Sequence, residues 1–122
     1  MAQHSLISIV DDDDSVRESL TSLIRSVGFR AATFVSAEEF LKSNYLSKTD
    51  CLLLDVRLPG ISGFELQRQL SAANQSIPII LISAHGDHGA RLQGLSAGAV
   101  DFLDKPFSEE DLLRALGSIF QR

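Results

Sequence analysis

An aspartate stands at the end of an apolar run in the middle of this sequence. Three leucines, residues 52–54, lead directly into Asp55, and a Pro59-Gly60 turn follows a few residues later. A short apolar run closed by a turn is typical of a buried strand in a parallel sheet. Open α/β sheets carry their ligand chemistry at the carboxyl ends of such strands, so Asp55 is predicted to face a binding site.

Polar side chains follow three other apolar runs in the same way. The runs at residues 6–10, 78–83 and 99–103 predict strands, and the polar groups at their ends are Asp11 and Asp12, Ser83, and Lys105. In a parallel sheet these strand ends lie on one edge. We therefore predict that three carboxylates, one hydroxyl and one ammonium group meet there.

The three carboxylates require a positive charge between them. Two carboxylates ~4 Å apart repel each other by about 4 kcal/mol at an effective dielectric constant of ~20. A donor set made only of oxygen, with no His or Cys, favours Mg²⁺ over zinc. Lys105 adds a second positive charge and Ser83 a hydrogen-bond donor, so the edge is suited to holding a phosphoryl group.

Helical patterns separate the predicted strands. Apolar residues recur at helical spacing from Val16 to Val27, and Asp87 to Ala97 is the weakest pattern because it contains glycines. Capping motifs at residues 36–39, 62–65 and 108–111 begin three more helices, the first of them extending to Tyr45. With a further strand at residues 29–35, five strands alternate with five helices, which predicts a three-layer α/β sandwich on a parallel sheet.

The composition fits one globular domain over residues 1–122. Hydrophobic residues make up 44% and charged residues 22%, and the net charge of -5 argues against nucleic-acid binding by this segment. The single cysteine excludes an intramolecular disulfide bond. No apolar stretch approaches the ~18 residues of a membrane span and no secretory signal is evident, so we expect a soluble cytoplasmic protein.

Motifs at the strand ends resemble those of the receiver domain of two-component response regulators, most of all the FixJ-type subgroup. The motifs are Ile9 to Asp13, Leu54 to Gly60 with Ser62-Gly63, Ile82 to Asp87, and Ala97 to Phe107. The resemblance implies the flavodoxin-like (βα)5 fold with strand order 2-1-3-4-5. The chain is then either a stand-alone receiver or the N-terminal part of a longer regulator. Relatives with a helix-turn-helix DNA-binding domain favour the second.

The same resemblance implies roles for the residues at the predicted edge. Asp55 would accept a phosphoryl group from a phosphohistidine on a sensor histidine kinase. Asp12, Asp55 and the backbone carbonyl of Arg57 would bind Mg²⁺, with Asp11 reaching it largely through water. Lys105, whose bond to Pro106 is expected to be cis, would pair with the phosphoryl oxygens.

Further residues would carry the signal away from Asp55. Ser83 would bond the phosphoryl group and Phe102 would act as an aromatic switch. The switch would change the face formed by the fourth helix, the fifth strand and the fifth helix, through which phosphorylated relatives form homodimers. Arg57 and His85 would tune the lifetime of the phosphoryl group, although both are equally compatible with solvated loop residues. The domain would not be an enzyme beyond self-catalysed phosphoryl transfer and autodephosphorylation.

Two other classes of protein are weighed against this interpretation. A haloacid-dehalogenase-like phosphatase uses an aspartyl-phosphate but needs a carboxylate two residues after the nucleophile, where this chain has Arg57. A flavodoxin-like small-molecule binder needs a Ser-, Thr- and Gly-rich phosphate loop after the first strand. Four aspartates, residues 11–14, occupy that loop here and would repel a phosphate.

Overall fold

The apolar runs form the strands of one parallel sheet. The computed structural model describes residues 5–84 and 88–120. The strands are β1 (Leu6–Val10), β2 (Arg30–Phe34), β3 (Cys51–Asp55), β4 (Ile79–Ala84) and β5 (Asp101–Lys105). They lie side by side in the order β2-β1-β3-β4-β5, which confirms the predicted flavodoxin-like arrangement.

Helices cover both faces of the sheet. They are α1 (Asp14–Ser26), α2 (Ala37–Lys42), α3 (Gly63–Ala72), α4 (His88–Ser96) and α5 (Glu109–Phe120), with a 3₁₀ helix at Leu46–Lys48. Because side chains alternate along a strand, Leu52 and Leu54 pack with α2, α3 and α4, whereas Leu53 packs with α1 and α5. None of the helices described here is long and apolar enough to cross a membrane.

Side-chain caps begin the helices where the sequence motifs predicted them. The Oγ atoms of Ser36, Ser62 and Ser108 accept hydrogen bonds from the backbone N–H three residues later, at 3.1, 3.1 and 3.0 Å. Asp13 caps α1 by accepting from the N–H of Val16 at 3.1 Å. The third aspartate of the acidic run, Asp13, is therefore the N-cap of α1.

Strand β5 differs from its predicted position by two residues. The prediction of residues 99–103 was wrong because Ala99 N–H bonds to the carbonyl of Gly94 at 3.1 Å and so still belongs to the turn that ends α4. Gly98 makes this turn with a φ of +106°. The shift makes Lys105 the last residue of the strand.

Helix α2 is shorter than predicted. It ends at Lys42 because Ser43 donates both its N–H and its hydroxyl to the carbonyl of Phe40, at 3.1 and 2.7 Å. Tyr45 lies beyond the helix and packs edge-on against Phe34, with ring centroids 6.0 Å apart. In the weakest predicted helix, Asp87 lies outside the described residues and α4 ends at Ser96.

Candidate functional site

The strand register brings the predicted polar groups to one edge of the sheet. Asp55 is paired with Ile82, so Ser83 is the next residue of the neighbouring strand. Ser83 in turn is paired with Asp104, one residue before Lys105. On the other side, Val10 is paired with Leu54, and Asp11 therefore follows β1 beside Asp55.

Lys105 joins two buried carboxylates. Its Nζ lies 3.2 Å from Oδ2 of Asp11 and 3.3 Å from Oδ2 of Asp55. The side chains of these aspartates are 1% and 8% exposed, whereas that of Lys105 is 29% exposed. A shared cation is what two carboxylates at this depth require, because a buried charge without a partner is strongly destabilising.

The surroundings shift the pKa of both partners. Burial raises the pKa of Asp55, and the negative charge of Asp11 adds to the rise, while the Arg57 N–H and Lys105 oppose it. Burial alone lowers the pKa of Lys105, but the charges of Asp55 and Asp11 together outweigh it, so the Lys105 pKa is raised. Lys105 therefore stays charged, while the ionised form of Asp55 is less stable than that of an exposed aspartate.

The carboxylates fit a hard divalent cation. Asp11, Asp12 and Asp55 each offer an oxygen, and these oxygens lie within 4.8 Å of one another. Oδ1 of Asp11 accepts the Asp13 N–H at 2.9 Å, whereas the buried Oδ2 accepts no hydrogen bond of normal geometry within the described residues. An all-oxygen donor set with spare lone pairs is typical of such cation sites, so the cluster could hold a metal.

The backbone after Asp55 belongs to the same site. Arg57 N–H donates to Oδ1 of Asp55 at 3.0 Å, and the following residues turn at Gly60, with a φ of +77°. The ligand role of the Arg57 carbonyl stays a prediction, as does the role of its exposed side chain. His85 lies outside the described residues, so its predicted role in phosphoryl lifetime also stays a prediction.

Ser83 carries a buried hydroxyl near the end of β4. It is fully buried, and its Oγ makes no hydrogen bond to any residue that the structure describes. An unpaired buried hydroxyl costs about 1–3 kcal/mol, so a hydrogen-bond acceptor brought to this edge would be stabilised by it.

Phe102 points into the core one strand away from Ser83. Its side chain is buried at 2% exposure, and the guanidinium carbon of Arg91 lies 6.0 Å from the ring centroid. Arg91 also donates to the Phe102 carbonyl at 3.0 Å, which ties α4 to β5. The bond between Lys105 and Pro106 is cis, as the family resemblance implied.

Comparison with known proteins agrees with this geometry. Residues 7–117 match the family model of the response regulator receiver domain. The chain belongs to this family. Among curated relatives, the response regulator protein TmoT of Ectopseudomonas mendocina is 50% identical over 114 residues, which are 93% of this receiver domain and 52% of TmoT.

Other relatives place this receiver domain with the FixJ-type subgroup. The transcriptional regulatory protein FixJ of Bradyrhizobium diazoefficiens is 39% identical over 110 residues, which are 90% of this chain and 53% of FixJ. The structure of the response regulator StyR is 47% identical with a TM-score of 0.88, and the match covers 97% of this chain and 60% of that one. This receiver domain therefore spans about half the length of these curated relatives.

Two residues that make contacts between distant segments were not found from the sequence. Glu38 contacts the loop after Asp55, and Gln67 is buried on α3, where its side-chain amide donates to the carbonyl of Gly94 at 3.1 Å. In the sequence, the glutamates at residues 38 and 39 indicate only the capping motif that begins α2. Nothing in the pattern of α3 separates Gln67 from the exposed polar residues around it.

Removing the ammonium group of Lys105 is expected to destabilise the metal-free domain. In Lys105→Ala the free energy of unfolding should fall by about 1–3 kcal/mol, less than for a fully buried pair because this side chain is partly exposed. Added Mg²⁺ should recover more stability in the variant than in the wild type, because it replaces the missing charge. Urea denaturation with and without Mg²⁺ measures both.

The matched control for this change is Lys48→Ala. It alters the net charge equally but removes an exposed lysine from the 3₁₀ helix, which precedes β3 and so lies at the opposite end of that strand from Asp55. An equal loss of stability in both variants would contradict the role of Lys105 as the shared cation.

Proposed function

We propose that this domain is a phosphorylation-activated switch in which Asp55 accepts a phosphoryl group from a phosphohistidine of a sensor histidine kinase. The observation that supports it most is the Lys105 ammonium between Asp11 and Asp55, beside a third carboxylate that completes an all-oxygen cluster. Membership of the response regulator receiver family agrees with this chemistry. We place the activity in the cytoplasm.

The transfer would be a single displacement at phosphorus. A carboxylate oxygen of Asp55 forms the new P–O bond as the P–N bond to the kinase histidine breaks, and the released imidazole nitrogen takes a proton from solvent. Asp12, Asp55, Asp11 and the Arg57 carbonyl would hold Mg²⁺. When bound, Mg²⁺ supplies positive charge that stabilises the equatorial oxygens of the phosphoryl group.

Protein side chains would hold the product. Lys105 already lies 3.3 Å from Oδ2 of Asp55, so its charge is in place for the phosphoryl oxygens. The hydroxyl of Ser83, which has no hydrogen-bond partner among the residues that the structure describes, would donate to one of them. Arg57 and His85 would set how quickly water removes the phosphoryl group, and such autodephosphorylation would be the domain's only other reaction.

A groove beside Lys105 supports the approach of a partner to the site. Apolar side chains of α1 and of the loop after β5 line it, namely those of Val16, Leu20, Leu23, Pro106 and Phe107. The same groove includes Lys105 itself. We therefore favour this side of the domain for the histidine-bearing part of the kinase.

The output would be transcriptional. The surface that transmits the signal would lie at the β5 edge of the sheet, opposite β2. Leu92, Leu95 and Val100 are exposed on α4 and before β5, which is the apolar surface a homodimer would cover. The full-length relatives are about twice as long and include transcriptional regulatory proteins. We propose that an effector domain follows this one and contacts DNA, while the receiver itself does not.

A phosphodonor assay separates this function from its two rivals. The domain is incubated with a radiolabelled small-molecule phosphodonor, with Mg²⁺ or with EDTA. A switch should retain label on the protein only with Mg²⁺, whereas a phosphatase would release phosphate over many turnovers and a small-molecule binder would take no covalent label. Either of the last two results would reject the proposal.

Ser83→Ala is expected to uncouple phosphorylation from dimer formation. The Ser83 hydroxyl would move toward the phosphoryl group, and Phe102 would turn into the vacated space, repacking the α4–β5–α5 face. Beryllofluoride, which stands in for the phosphoryl group, should raise the dimer population of the wild type and leave Ser83→Ala monomeric. Analytical ultracentrifugation at high micromolar concentration measures the dimer.

The control for this prediction is Ser71→Ala, which removes an exposed hydroxyl from α3. It should dimerise like the wild type. A wild type that stays monomeric with beryllofluoride would reject the coupling, and so would equal dimerisation of Ser83→Ala.

A further inference from the structure

Glu38 reaches from the first turn of α2 to the loop that follows Asp55. Its Oε2 accepts the Ile61 N–H at 3.0 Å, a contact across 23 residues of sequence. The same oxygen lies against Gly60, where a Cβ atom would come within 2.3 Å of it. Gly60 also has a φ of +77°, so the turn and the approach of the carboxylate depend on the same glycine.

Helix capping does not account for this contact. The neighbouring Glu39 serves its own helix, because its Oε1 accepts the Val35 N–H at 2.9 Å and its N–H donates to Ser36. The side chain of Glu38 instead points away from its helix and accepts a hydrogen bond from the loop. The bond from the Ile61 N–H lowers the pKa of Glu38, because the donor favours the ionised carboxylate.

The loop that Glu38 contacts is fixed at its two ends by the phosphoacceptor strand. At its start, Arg57 N–H donates to the Asp55 carboxylate at 3.0 Å. At its end, Gly63 N–H donates to the Val56 carbonyl at 3.1 Å. Between these anchors Leu58 and Ile61 pack against the core, and the Ile61 N–H donates to Glu38 at the turn.

We propose that Glu38 is a positioning residue for the phosphoacceptor site. By fixing the turn at Gly60-Ile61, it sets the backbone of Arg57, whose N–H contacts Asp55 and whose carbonyl is a proposed metal ligand. This inference rests on the proposed function for its effect on Mg²⁺, and on the geometry alone for its effect on the loop. Outer-shell groups that orient metal ligands commonly alter metal affinity about 10–100-fold.

Three substitutions separate the reach of Glu38 from its charge. Glu38→Asp keeps the charge but is one methylene too short to bind Ile61. Glu38→Gln loses the charge but keeps an oxygen that can accept from the Ile61 N–H. Glu39→Ala is the control, because it weakens the cap of the same helix without touching the loop.

The measurements are Mg²⁺ affinity by calorimetric titration and the Arg57 and Ile61 amide resonances of the metal-free 122-residue chain. Glu38→Asp should bind Mg²⁺ about 10-fold more weakly than the wild type and shift both amides. Glu38→Gln and Glu39→Ala should stay within about threefold of the wild-type affinity, since the loop contact persists in both. The shorter aspartate keeps the preference of a helix start for negative charge, so this variant is expected to fold.

The opposite order would overturn the inference. If Glu38→Gln binds Mg²⁺ more weakly while Glu38→Asp does not, the charge of residue 38 affects Mg²⁺ binding and its contact with Ile61 does not. If Glu38→Asp behaves like Glu39→Ala, Glu38 is only part of its helix. A wild type that binds no Mg²⁺ would reject the proposed function instead, and the metal-free amide resonances would still decide whether Glu38 positions Arg57.

Discussion

Asp55→Asn is expected to take up no phosphoryl group and, without Mg²⁺, to be more stable than the wild type. The amide is not a nucleophile toward phosphorus, so label from a phosphodonor should fall to background. The gain in stability follows from the site, where Asp55 is buried beside Asp11 and shares one ammonium group with it. Removing one of the two negative charges relieves that repulsion and lets Lys105 serve Asp11 alone.

The pH dependence of this gain has a definite sign. The pKa of Asp55 is raised in the folded state, so the native protein holds its proton more tightly than the unfolded chain does. The contribution of Asp55 to stability therefore falls as pH rises from the unfolded pKa, about 3.9, through the raised folded pKa. The stability difference between Asp55→Asn and wild type should be largest at neutral pH and shrink as pH falls through that window.

Urea denaturation of both proteins in EDTA, over a series of pH values, measures this difference. Glu18→Gln is the control, since it also removes one negative charge but from an exposed position on α1. A wild type more stable than Asp55→Asn at neutral pH, in the absence of metal, would contradict the conclusion that the ionised Asp55 carboxylate destabilises the metal-free fold.

Gly63→Ala is expected to be the most destabilising substitution of a single glycine near the site. A Cβ at residue 63 would lie 2.4 Å from the carbonyl oxygen of Asp55 and 2.7 Å from the Cα of Val56. Both atoms are backbone at the end of a buried strand, so neither can move aside as a side chain could. We expect a loss of about 3 kcal/mol in the free energy of unfolding, the upper part of the range for overpacked cores.

The substitution should also slow phosphoryl transfer, because the backbone carbonyl that the new Cβ displaces belongs to the phosphoacceptor Asp55. Phosphoryl uptake by folded Gly63→Ala should therefore be slower than by the wild type. Gly117→Ala is the control, since a Cβ there meets no atom within 4 Å and the residue is exposed in the C-terminal part of α5. It should gain up to about 1 kcal/mol from better helix propensity, and equal losses in both variants would contradict the packing argument.

The sheet and its polar edge could be predicted from the sequence because their signals are local. An apolar run leads to each of the polar groups at this edge, namely those of Asp11, Asp55, Ser83 and Lys105. Parallel strands in register bring their carboxyl ends to one edge of the sheet. The helix caps at Ser36, Ser62 and Ser108 are equally local, since each bond spans three residues.

Contacts between distant segments gave no such signal. Glu38 binds a backbone N–H, which every loop offers, so its partner Ile61 could not be read from residue types. Gln67 is polar but only 4% exposed. A hydrophobicity pattern assigns polar residues to the surface, so it does not identify Gln67 as buried. The start of β5 was misjudged for a related reason, because Ala99 and Val100 suit a strand but Ala99 is used by the turn at Gly98.

The most direct test of this account is to locate the phosphoryl group. The domain is treated with a phosphodonor in Mg²⁺ or in EDTA, the acyl phosphate is reduced with borohydride, and the peptides are identified by mass spectrometry. An aspartyl-phosphate reduced in this way leaves homoserine, which should appear at residue 55 and only when Mg²⁺ is present. Homoserine at another aspartate, or equal amounts at residue 55 in Mg²⁺ and in EDTA, would contradict the account.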